Sequence, residues 1–186
     1  MHSPYTNPPK RLGPLRHVQY RRVYAGLAES IPAAKDDLRA AAQGSGLSDD
    51  VIETAALCLS ELATNAVKHA IGNKARPRFS VAVAIRGTRQ RWLRVEVHDP
   101  DGSACPAFPS KDKASTLLFE MDPDSTSGRG MAMVAMMADK TGVEGNPVWG
   151  KTVWFELKLH EQKCGGRPPE NQEEAAVVVT EVTSVT

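Results

Sequence analysis

Glu61 and Asn65 stand four positions apart in the segment LCLSELATNAVKHA, residues 57–70. Read as a helix, at about 3.6 residues per turn, that spacing stacks a carboxylate and a carboxamide on one face. Leu57, Leu59, Leu62, Ala63, Ala66, Val67 and Ala70 supply the apolar stripe beside them. Polar groups at the margin of a core need partners. A Mg²⁺–nucleotide is one such partner: the Asn oxygen can fill one octahedral position on an ion that also binds phosphates. The carboxylate can accept a proton from an attacking hydroxyl or water. Glu-x-x-x-Asn also occurs on the solvated edge of ordinary helices, so the pair by itself does not fix the chemistry.

Three further segments add to it. In LRVEVHDPDG, residues 93–102, Leu93, Val95 and Val97 alternate with Arg94, Glu96 and His98, the period of a half-buried strand. Asp99-Pro100-Asp101-Gly102 then gives a turn. A carboxylate at a strand end can accept a hydrogen bond from the exocyclic amine of a base, and Gly102 lets backbone approach a flat ring. Asp99 and Asp101 equally suit a plain turn. Next, Ser127-Gly128-Arg129-Gly130 precedes an apolar helical run through Met131, Val134, Ala135 and Ala138. A helix N-terminus entered through glycines offers free N–H groups and a positive dipole end to phosphate; Ser127 could also simply cap the helix. Met131, Met133, Met136 and Met137 read as core packing. Last, Val153, Phe155, Leu157 and Leu159 alternate in a strand entered through Gly150-Lys151. Thr152 at its start is either part of a polar network around a base or a β-branched strand residue.

Glu-x-x-x-Asn on a helix, a strand ending in Asp-x-x-Gly, Gly-x-Gly opening a helix and Gly-x-Thr opening a strand occur here in that order over roughly residues 20–160. This arrangement resembles the nucleotide-binding domain of the GHKL (histidine-kinase-like) ATPases. The strings Ser60-Glu61-Leu62, Asn65-Ala66-Val67-Lys68-His69-Ala70 and Gly128-Arg129-Gly130-Met131 are similar to the small single-domain branch, the anti-sigma-factor serine/threonine kinases that act on STAS-domain anti-anti-sigma factors.

The resemblance implies ATP and Mg²⁺ as cofactors. Asn65 would hold Mg²⁺, Glu61 would be the general base toward an acceptor serine, and Asp99 would bind the adenine amine with Thr152 in support. Gly102 would lie against the base, and Gly128, Arg129 and Gly130 would close over the phosphates. It also implies a lid at about 103–127, a sigma factor and a STAS-domain protein as partners, and a homodimer. Two departures stand out. The stretch Asp99-Pro100-Asp101-Gly102-Ser103 displaces the first glycine of an Asp-x-Gly-x-Gly box by one and lacks the second, and Ala132 replaces a third glycine of the later box.

The elements that must position these residues follow from pattern. A strand is expected over 18–28, a helix from Ile31 to Gln43 with Pro32 in its first turn, and a second helix opened by Ser48, Asp49 and Asp50. Strands over 79–85 and 92–97 flank a hairpin at Gly87-Thr88-Arg89-Gln90. Residues 103–127, with one short apolar patch at Leu117-Leu118-Phe119, read as a mobile loop over the site. Residues 1–17 are Pro-rich and basic and 161–186 are acidic and Val/Thr-rich; both read as disordered. The expected fold is an α/β two-layer sandwich, a mixed and mostly antiparallel sheet with helices on one face, over residues 18–160.

Composition agrees. The 186 residues are 41% hydrophobic, enough for one sizeable domain. With 23 basic against 22 acidic residues the net charge is +1, which gives no global footprint for nucleic acid. Cys58, Cys105 and Cys164 lack metal-ligand spacing and form no disulfide framework. No apolar run approaches a membrane span, and a cytoplasmic protein is expected. Two functions of different class fit: a protein serine kinase, favoured by retention of both Glu61 and Asn65, and a non-catalytic ATP-binding module acting by protein–protein binding, favoured by the altered first glycine box. The short stretch before the motif helix has no phosphoacceptor helix pair for a sensor kinase.

Overall fold

A computed structural model describes residues 18–70, 77–100, 106–120, 129–146 and 150–160. The expected arm (1–17) and tail (161–186), together with Gly102 and Gly128, lie outside the described residues.

Strand β1 (Val18–Ala25) leads into helices α1 (Ser30–Gly44) and α2 (Asp49–Ala70). The hairpin β2 (Arg78–Arg86) and β3 (Arg91–Asp99) follows, then helices α3 (Lys111–Glu120) and α4 (Arg129–Met137). A second hairpin, β4 (Lys140–Asn146) and β5 (Gly150–Leu159), completes the described chain. The strand order is β1-β2-β3-β5-β4. The expected α/β sandwich with a mostly antiparallel sheet is present, and every pairing among the described strands is antiparallel.

One face of this sheet carries the core. Val81, Val83 and Ile85 of β2, Leu93, Val95 and Val97 of β3, and Val153, Phe155, Leu157 and Leu159 of β5 are buried there against Leu59, Leu62, Ala63, Ala66 and Val67 of α2. These are the period-two positions of each strand meeting the 3.6-period stripe of the helix. Helix α1 lies against α2 through Ala34 and Leu38, and Arg39 donates from Nε and one Nη to Glu53 across that junction (2.8 and 2.9 Å). The Tyr24 hydroxyl donates to Asp37 at 2.6 Å, tying β1 to α1. Cys58 is buried in the same core, and burial pushes its thiol up to about 12, so it stays protonated and packs as a small hydrophobe.

Two elements depart from expectation. Part of the stretch read as a mobile loop is α3. Ser110 Oγ accepts from the Lys113 amide at 3.4 Å, and Ala114 packs into a small cluster with Ala132 and Ala135 of α4. Alanine contributes little to an apolar pattern, which is why the segment reads as a loop. The second is β4, whose sequence KTGVEGN is polar, glycine-containing and without alternation. It is an edge strand paired with β5 alone. Its register is secured by the Trp154 ring lying across Gly142 and by Lys140, which sits 3.7 Å from the Trp92 ring centroid. No helix among the described residues is long and apolar enough to cross a membrane.

Candidate active site

The site lies where α2 crosses the C-terminal end of β3. Strand parity aims Asp99 at the helix layer, because Leu93, Val95 and Val97, two residues apart on the same side of β3, all face the core. Asp99 is accordingly almost fully buried. On α2, Asn65 and its neighbours Leu62 and Ala66 face the same space. Together with Val97, Val153, Lys151, Pro106 and Met131 they enclose a cavity of about 10 Å³, room for roughly one water molecule. The sequence therefore names two of the polar residues that share this cavity, Asn65 and Asp99.

Glu61 lies one helical turn before Asn65, and its carboxylate is set against the first turn of α4. A methyl group on Gly130 would run into Glu61 Oε2, so this glycine admits the carboxylate where a larger residue would not. Arg129 begins α4 beside it. The helix end that the sequence offers to phosphate thus adjoins the carboxylate that it offers as a base. No group of three or more His, Cys, Asp or Glu side chains able to hold a metal occurs among the described residues. An ion at Asn65 would draw most of its shell from phosphate oxygens and water, as Mg²⁺ readily does.

Thr152 requires a correction. It pairs with His98 in the β3–β5 register, while Asp99 pairs with Lys151. One residue of offset turns a side chain to the opposite face, so Thr152 points away from the cavity. Its hydroxyl lies 3.2 Å from His98 Nδ1 on the back of the sheet. The residue beside Asp99 is Lys151, whose Nζ lies 2.7 Å from Asp99 Oδ2 with side-chain exposures of 3% and 1%. Gly150 sets up this contact. Its φ of +86° and its close approach to the Asp99 carbonyl and Pro100 exclude a side chain, letting β5 start flush with the end of β3. Lys151 was legible: Val153, Phe155, Leu157 and Leu159 face inward, so position 151 must as well.

The arrangement brings an amide oxygen, a buried carboxylate and a helix end flanked by a second carboxylate into one region. The family model for the histidine kinase-like ATPase domain matches residues 24–157. The chain belongs to this family. Histidine kinase-like ATPase domains generally bind ATP with Mg²⁺ and support ATP-dependent chemistry. No curated protein matches the chain.

Proposed function

We propose that the protein is an ATP-dependent serine/threonine kinase of the anti-sigma-factor type. It would phosphorylate a STAS-domain anti-anti-sigma factor, sequester a sigma factor, and work in the cytoplasm as a homodimer. The observation that supports this reading best is the placement of Glu61 and Asn65. They are one turn apart on α2, with Asn65 at the cavity and Glu61 against the start of α4. A binder needs no carboxylate at that point; a kinase needs one where an acceptor hydroxyl meets the terminal phosphate.

The chain's own groups divide the work. Asp99 accepts a hydrogen bond from the base amine. Asn65 Oδ1 would hold Mg²⁺, which when bound would neutralise charge on the phosphates. The first turn of α4 contributes backbone N–H groups and a dipole end toward the phosphates. Glu61 would take the proton of the serine hydroxyl as that oxygen bonds to the γ-phosphorus of ATP and ADP leaves with the bridging oxygen. Phosphoryl transfer asks mainly for such positioning and charge neutralisation.

The second reading, an ATP-binding module without catalysis, draws support from the small cavity and the Asp99–Lys151 ion pair. One experiment separates the two. Wild type, Glu61→Ala and Asp99→Asn are incubated with γ-labelled Mg·ATP and a lysate of the source organism, and ATP binding is measured in parallel. The kinase reading expects a small protein labelled on serine by wild type alone. Glu61→Ala should bind ATP normally without transfer, and Asp99→Asn should lose about tenfold or more in affinity, as expected when a buried hydrogen-bond pair is broken. Normal ATP binding with no labelled protein would establish the binder instead.

A further inference from the structure

Lys151 stands in the nucleotide site as a charged neighbour of the group that would read the base. Its ammonium donates to Asp99 Oδ2 at 2.7 Å, and both side chains are almost wholly buried. An ammonium–carboxylate hydrogen bond is charge-assisted and outcompetes the neutral donor of an exocyclic amine. The cavity that the pair adjoins measures about 10 Å³, whereas pockets for drug-sized ligands are typically some hundreds of cubic ångströms. The space beside Asp99 is too small for a purine as it stands. Leu62, Ala66, Val97 and Val153 are core residues locked by the sheet and α2, Pro106 and Met131 close the rest of the wall, and Lys151 is the lining residue that also holds the base-reading carboxylate. Lys151 has a long flexible stem, and a displaced ammonium would have phosphate to meet or water to reach.

We propose that Lys151 is a built-in competitor for the base: it occupies Asp99 in the free protein, and a nucleotide binds only by displacing it. This rests on the reading of the cavity as the nucleotide site. Binding to wild type is therefore weak, and any partner that draws Lys151 away from Asp99 raises nucleotide affinity.

The test is a calorimetric titration of Mg·ATP into wild type, Lys151→Thr and Lys151→Gln, with thermal melts confirming that each is folded. Lys151→Thr removes both charge and stem and should bind at least tenfold tighter than wild type, with a correspondingly larger rise in melting temperature under saturating Mg·ATP. Lys151→Gln keeps most of the length and a neutral donor to Asp99 and should fall between them; if Lys151→Thr does not fold, Lys151→Gln against wild type decides. Equal affinity in all three would overturn the competitor role while leaving the nucleotide site intact. Weaker binding by the variants would overturn it in favour of Lys151 as a base-reading donor. Absence of binding by every folded protein up to about 10 mM Mg·ATP, beyond ordinary millimolar affinities, would overturn both the competitor and the nucleotide reading.

Discussion

The β3–β5 seam buries charge on both of its faces, in two different ways. On the back of the sheet the Arg94 guanidinium meets Glu96 at 2.7 Å, Glu156 at 3.3 Å and Glu144 at 3.4 Å, and stacks 3.8 Å from the Trp154 ring centroid. Glu156 is also reached by Lys140 and Arg86. On the helix side, at the strand ends, Lys151 and Asp99 meet beside a cavity. The guanidinium spreads its donors over three partners on three strands, so no incoming group could replace it; it is a strut. The lysine meets its carboxylate beside a cavity, where, on the proposal above, a ligand contests it. Buried charge of similar depth therefore reads as architecture in one place and as site chemistry in the other. The deciding factor is the neighbouring space.

The contrast can be broken most forcefully at the strut. Arg94→Ala leaves Glu96, Glu156 and Glu144 without their shared cation and should cost about 3–5 kcal/mol in urea unfolding, the scale for breaking a buried pair. A loss below about 1 kcal/mol would mean that the glutamates reach water and that the back face is no strut. A smaller and more selective effect is expected at Gly130→Ala. Alanine is favoured over glycine inside helices by up to about 1 kcal/mol, so stability should hold within that range. The added methyl would nevertheless push the Glu61 carboxylate away from α4. Melting temperature unchanged with phosphotransfer sharply reduced is the expected pair of readings; unchanged transfer would detach Glu61 from the chemistry.

The smallest effect concerns His98, half-buried on the back face. Burial holds its imidazolium below the usual histidine range, aided by Arg21 and Lys151 and opposed by Asp99. The folded pKa is thus lower than the unfolded one, and below about pH 6.5 the unfolded chain takes up more protons. The contribution of His98 to stability is complete above that pH and is lost as pH falls through the folded value. Melting curves from pH 7.5 to 5 should show a shallower acid slope for His98→Asn than for wild type. Identical slopes would assign the acid sensitivity to other groups.

Much of this was readable in the chain. Period-two alternation located β2, β3 and β5, and the stripe around Glu61 located α2, because these elements bury one face each. The same alternation held the answer for Thr152 and Lys151, since parity alone puts 151 inward and 152 outward. The glycine–threonine pattern drew attention to the wrong neighbour. Helix α3 and strand β4 were not legible for a physical reason: their packing relies on alanines against α4 and on an indole across Gly142, contacts that depend on partners distant in sequence. The size of the cavity was also beyond a linear reading, because it depends on how far Lys151 reaches once β3 and β5 are side by side.

The location of that cavity has a kinetic side. β2 with β3 and β4 with β5 are hairpins, closed by short loops. The β3–β5 pairing joins residues at least 52 positions apart, from Asp99 and Lys151 at one end to Arg91 and Leu159 at the other, and carries the larger loop-closure cost. A chain with both hairpins formed but the seam still open would already have its strands and yet no pocket, since Asp99 and Lys151 would belong to separate pieces. Under the proposed function, nucleotide competence is therefore a property of the completed sheet: a partly folded chain would gain nothing from ATP at this site, and any slow step in zipping the seam would set how soon a new copy of the protein could bind it.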